Sequence, residues 1–83
     1  ATTSIYPNPF EDKTRVEISN NYRGAITFKL IDLTGRVIHT EKVAKNQEVL
    51  RHTLDFKALV SGMYLLQVEI GEGRAAKRIV KTN

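Results

Sequence analysis

The stretch "MYLLQVEI", Met63 to Ile70, decides the fold class. Tyr64, Leu66, Val68 and Ile70 fall on one parity, with Gln67 and Glu69 on the other. That is the period of two of a β-strand with one buried face, and its apolar content predicts a place at the centre of a sheet. The turn signal "GEG" follows, and Arg74 to Lys81 form a final strand.

Working back toward the N-terminus, the same period recurs and no sustained helical stripe interrupts it. "TRVEIS" puts Val16 and Ile18 on one face; "AITFKL" sets Ile26, Phe28 and Leu30 against Thr27 and Lys29. "NNYRG", between these strands, supplies Asn20, Asn21 and Gly24 for a turn. In "IDLTGRVI", Asp32 opens and Gly35 closes a tight connection, since Asp bonds back to turn backbone and Gly accepts positive φ. The return strand runs from about Arg36 to Val43, with the adjacent Val37 and Ile38 leaving its inward face ambiguous. "KNQE" reads as the next turn, and "VLRHTL" as a strand with Leu50, His52 and Leu54 in one parity. "DFKALVSG" breaks the alternation, with Phe56 and Leu59 three apart, and reads as a short helical turn or crossover ended by Gly62.

Six or seven short strands at even spacing predict an all-β chain: a small immunoglobulin-like antiparallel β-sandwich, with a partly open barrel as the alternative. The Cys and Trp markers of antibody domains are missing, so strand rhythm carries this expectation. Near the start, "IYPNPF" holds two prolines that keep Tyr6 and Asn8 out of helix, predicting a stiff edge or turn.

Composition bounds the rest. A chain of 83 residues, 41% hydrophobic and 27% charged, is one domain that must use most of its apolar side chains. The absence of cysteine excludes disulfides, thiolate metal sites and a cysteine nucleophile. No apolar run approaches the roughly 20 residues of a membrane span, so no direct membrane insertion is expected. No signal-peptide pattern opens the chain, and any export is expected to be directed by something upstream of Ala1.

The net charge is +4, from 13 Lys plus Arg against 9 Asp plus Glu, and Arg74, Lys77, Arg78 and Lys81 crowd the C-terminal end. Such a patch suits phosphate, anionic lipopolysaccharide, an acidic protein or plain solvation. Nucleic-acid binding is not expected, because the six aromatics are scattered and the basic strand has none.

Candidate chemistry is sparse. His39 and His52 are the only histidines and neither sits in a catalytic motif; one histidine on a strand reads as an amphipathic surface residue. Glu11 and Asp12 are adjacent, diverge, and read as solvated loop residues. There is no phosphate-cradling glycine loop and no metal-ligand spacing, so no enzyme activity and no cofactor are expected.

The order "YPNPF", "LIDLTGRVI", "LVSGMYLLQVE" and a lysine-bearing last strand resembles the C-terminal sorting domain of Bacteroidetes proteins exported by the type IX (Por) secretion system, from about Ile5 to Lys81. By position, Pro7, Asn8 and Pro9 resemble its Pro-Asn-Pro element, and Asp32, Gly35 and Arg36 its Asp-x-x-Gly-Arg turn. Gly62 and Tyr64 resemble its Gly-x-Tyr element, while Lys77 and Lys81 fall in its basic terminal strand. Family members often stop on or just after the final lysine, whereas Thr82 and Asn83 follow here.

The resemblance implies a non-catalytic secretion signal following a larger cargo and recognised by an outer-membrane translocon. A sortase-like cysteine peptidase then cuts the upstream linker. It implies passage through the periplasm to the cell surface or medium, and a cargo end that can be joined to anionic lipopolysaccharide. On this reading residues 1–83 are a single sorting domain, 1–4 are the remnant of a linker, and rigid "YPNPF" marks where that linker stops. The alternative is a structural or carbohydrate-binding accessory module of a secreted enzyme. Sugar platforms need exposed coplanar rings, whereas Phe28, Phe56 and Tyr64 share parity with core residues.

Overall fold

The computed structural model describes residues 2–83, all strand, turn and loop. Seven strands form: β1 (Thr2–Tyr6), β2 (Lys13–Ser19), β3 (Gly24–Ile31), β4 (Val37–Lys45), β5 (Val49–Asp55), β6 (Gly62–Ile70) and β7 (Gly73–Lys81). They pair antiparallel into a three-stranded sheet ordered β1-β2-β5 and a four-stranded sheet ordered β4-β3-β6-β7. Strands one, two and five against four, three, six and seven is the Greek-key division of an immunoglobulin-like sandwich, with the fourth strand on the sheet of the third. β6 takes the interior position that its alternation demands.

The inward faces are those the alternation picked out. Val16, Ile18, Ile26, Phe28, Leu30, Leu54, Tyr64, Leu66 and Val68 are buried, joined by Ile79. Phe10 and Phe56 close one end of this core, their ring centroids 6.0 Å apart. With so short a chain, these side chains supply the apolar burial that offsets chain entropy.

The structure resolves or corrects several local readings. A bulge between Leu30 and Ile31 lets Ile38 pack on the core while Val37 stays exposed, which is why two adjacent apolar residues occur there. "DFKALVSG" is the crossover from β5 to β6; it holds one turn, closed by Leu59 N–H donating to the Phe56 carbonyl (3.0 Å), and no helix follows. Thr2, Thr3 and Ser4, expected as linker, lie in β1 and pair with Ser19, Ile18 and Glu17, so the paired structure starts upstream of the prolines.

Lys45 is not a turn residue. It ends β4 on the inward parity of Val43, fully buried, and its Nζ donates to the carbonyls of Asn20, Tyr22, Gln47 and Glu48 at 2.5–3.2 Å. One ammonium thereby ties the β2–β3 turn to the β4–β5 turn, and the four carbonyls give the enclosed charge its partners. Burial holds its pKa below the ordinary lysine value, with the Arg23 charge adding to the effect.

Candidate recognition site

The Pro-Asn-Pro element lies against the last strand. β7 is an edge strand, and an uncovered edge presents unpaired N–H and C=O groups. Asn8 supplies both partners from one carboxamide: its Nδ2 donates to the Arg78 carbonyl (3.0 Å), and its Oδ1 accepts from Val80 N–H (3.0 Å). Phe10 continues the pairing as a parallel bridge to Lys81. Its N–H donates to the Val80 carbonyl (2.9 Å), and its carbonyl accepts from Thr82 N–H (2.8 Å). The Pro7 carbonyl accepts from the buried Thr14 hydroxyl (2.9 Å). Pro7 and Pro9 have no N–H to leave unsatisfied, and both follow cis peptide bonds. The stiff segment is therefore a clasp carrying the chain from one sheet to the edge of the other.

Thr82 extends the same closure, since its hydroxyl also donates to the Phe10 carbonyl (3.3 Å). The residues beyond the final lysine are thus tied down. No local pattern signals this contact, because it spans 72 positions.

The Asp32-Leu33-Thr34-Gly35-Arg36 connection is built on one carboxylate. Asp32 Oδ1 accepts from Thr34 N–H (2.9 Å), Thr34 Oγ1 (2.6 Å) and Arg36 N–H (3.1 Å), while Oδ2 faces Arg36 Nε at 3.4 Å. The Thr34 hydroxyl bond, with the backbone bond from Arg36, holds the Asp32 carboxyl below the usual carboxylate range. Gly35 has φ +89°, as expected for the closing residue, and its N–H donates to the Asp32 carbonyl (3.0 Å).

Gly62 and Tyr64 act at the β5–β6 corner. Gly62 takes φ +150°, which an L side chain rarely adopts, and Tyr64 drops its ring into the core while its hydroxyl donates to the Val60 carbonyl. A tyrosine bonding back four residues across this corner is the tyrosine corner of immunoglobulin-like sandwiches.

The basic strand divides. From Gly73 to Arg78 every residue is exposed, so Lys77 projects into solvent. Lys81 does not: it is 2% exposed, shares the inward parity of Ile79, and its Nζ donates to the Asn83 carbonyl (3.3 Å). The expectation that both lysines present solvent charge is corrected for Lys81, because the clasp at Phe10 covers the end of β7.

His39 also departs from the surface reading, while His52 keeps the parity of Leu50 and Leu54. His39 on β4 and His52 on β5 are half-buried, and the Nε2 of each meets the carboxylate of Glu41, His39 at 2.9 Å. His52 stacks on Phe28 and His39 meets Phe56 edge-on. The His39 hydrogen bond is the main cause holding the Glu41 carboxyl below its ordinary value; His52 adds to it, and burial opposes it. The three groups are spent on one another across the seam between the sheets. The register of β4 sets Glu41 on the same face as His39; only sheet packing brings His52.

An immunoglobulin-like sandwich, closed by its own N-terminal clasp and with its buried aromatics in the core, is a structural domain. Comparison with protein families matches residues 4–82 to the secretion system C-terminal sorting domain. The chain belongs to that family, and it is a type IX C-terminal sorting signal of the kind found in Bacteroidetes. Recognition by the type IX machinery, an N-terminal cargo, and export to the cell surface or extracellular space go with the family, which is one of sorting signals rather than catalysts. A carbohydrate-binding module is not favoured: Phe10, Phe28, Phe56 and Tyr64 are buried, leaving no platform of exposed rings among them. A search of curated proteins finds no match.

Proposed function

We propose that residues 1–83 act as one non-catalytic address, read in the folded state by an outer-membrane translocon after passage through the periplasm. A sortase-like peptidase then removes it by cutting upstream of β1, and the cargo is released or joined to anionic lipopolysaccharide. Pro7, Asn8, Pro9, Asp32, Gly35, Arg36, Gly62 and Tyr64 serve recognition indirectly, by fixing the shape that the receptor meets. Lys77 serves it directly as an exposed charge, and Lys81 anchors the end of the strand.

The observation that carries this reading is the clasp: Asn8 and Phe10, from the start of the chain, pair with Arg78, Val80 and Thr82 at its end. A signal whose last strand is locked only when the whole sandwich has formed reports that folding is complete. The test is a Sec-exported reporter carrying residues 1–83 at its C-terminus, in a host with type IX secretion. Surface or extracellular reporter is expected. A reporter held in the periplasm, where an established sorting domain is exported in parallel, refutes the reading.

A further inference from the structure

The outward face of the four-stranded sheet is polar at one end and apolar at the other. Toward one end the rungs are Lys42–Thr27–Glu69–Arg74 and Thr40–Lys29–Gln67–Ala76, laced by a Lys29–Glu69 ion pair at 3.1 Å. The next rung is Val37–Ile31–Leu65–Arg78, and Met63 pairs with Val80 beyond it. Val37, Leu65 and Met63 are 48%, 38% and 40% exposed. Leu33, at the tip of the Asp32–Arg36 turn, is 79% exposed. Between that turn and the sheet lies a cleft of about 270 Å³, lined by Ile31, Leu33, Leu65 and the Tyr64 and Gly35 positions, with Arg78 at its side. Arg78 makes no ion pair among the described residues, and Asp32, the carboxylate in the cleft wall, is already engaged by Thr34 and Arg36.

An apolar cleft with one unengaged guanidinium is a surface prepared for a partner. We propose that it docks a protein segment of the export receptor that presents an apolar side chain to Leu33, Ile31 and Leu65 and a carboxylate to Arg78. This rests on the sorting-signal reading and deepens it by naming the face that is read. The occupant's chemistry follows from the cleft. A guanidinium takes a carboxylate in a two-pronged, directional pair, and concave apolar walls bury a side chain. A lipid surface instead suits a flat field of several lysines. The proposal also gives the Asp32–Gly35–Arg36 turn a purpose, because the turn holds Leu33 over the cleft.

The test uses the reporter fusion with Leu33→Ser, Arg78→Lys, Arg78→Gln and Arg78→Glu, and Arg74→Glu as a control two rungs away on the same face. Both altered positions are exposed, and thermal melting of each purified chain verifies the fold. Export is expected to fall about tenfold in Leu33→Ser and at least about tenfold in Arg78→Glu, to fall less in Arg78→Gln and least in Arg78→Lys, which keeps the charge but loses the two-pronged pair, and to stay within about twofold in Arg74→Glu. Wild-type export with all variants exported equally overturns the docking face alone; failure of wild-type export defeats the sorting reading beneath it. Equal losses in Arg74→Glu and Arg78→Glu overturn it in favour of general charge. A concentration-dependent dimer dissolved by Leu33→Ser overturns it in favour of a second copy. Binding to phosphatidylglycerol-rich vesicles that Arg78→Glu abolishes overturns it in favour of lipid.

Discussion

Replacing Asn8 by Ala opens the clasp without touching the core. The substitution removes two hydrogen bonds, to the Arg78 carbonyl and from Val80 N–H, both at 3.0 Å and both at the exposed edge of β7. Water reaches the groups left behind, so the loss is two net hydrogen bonds rather than two buried unsatisfied groups. Because both bonds are exposed, each is expected in the lower half of the usual range of about 0.5–1.5 kcal/mol, for a total of about 1.5 kcal/mol. For a domain of this size, roughly 4–8 °C per kcal/mol converts that to a fall in melting temperature of about 6–12 °C. Calorimetry gives the shift, and amide hydrogen exchange localises it: Val80 N–H loses protection, whereas amides of the central β3–β6 pairing keep theirs relative to the new global stability. Asn8→Asp keeps an acceptor for Val80 but sets a carboxylate against the Arg78 carbonyl. It is expected to match Asn8→Ala at neutral pH and to recover in acid, where the protonated group donates again. A melting temperature within about 2 °C of wild type, with Val80 still protected in Asn8→Ala, refutes the closure argument.

Gly35→Val places a branched side chain at φ +89° and is expected to cost about 1–3 kcal/mol, read from urea unfolding midpoints. Tyr64→Phe removes the hydroxyl donated to Val60 and is expected to cost about 1 kcal/mol with the ring packing intact. Glu41 and Asp32 both have folded-state pKa values below their unfolded ones, so their contribution is fully present above the unfolded values and lost as pH falls through the folded ones. Stability is therefore expected to drop below about pH 4, and to drop less steeply in Glu41→Gln, by unfolding measured across that range. Lys77→Gln leaves melting unchanged, while Lys81→Gln lowers it because the stem and ammonium are enclosed, so only the first cleanly tests a solvent charge in export.

The alternation of Tyr64, Leu66 and Val68, of Ile26, Phe28 and Leu30, and of Val16 and Ile18 is local information, and it determined the strands and which faces they bury. The Asp32 turn was equally legible, because a carboxylate bonding two to four residues ahead and a glycine at positive φ are properties of a few consecutive residues. The resemblance to the sorting family likewise rested on ordered short motifs. What those motifs do in space was not legible. Pro7-Asn8-Pro9 read as a stiff turn at the end of a linker, and only the docking of one sheet's connection on the other sheet's edge makes it a clasp on β7. Lys45 read as a turn lysine and Lys81 as a solvent charge until turns and segments distant in sequence enclosed them. Glu41 met His52 only because β4 and β5, edge strands of different sheets, border the same seam. A strand's own period says which way a side chain points; whether water, a carbonyl or a carboxylate waits there depends on contacts between residues far apart in the chain, and the tertiary structure alone decided that.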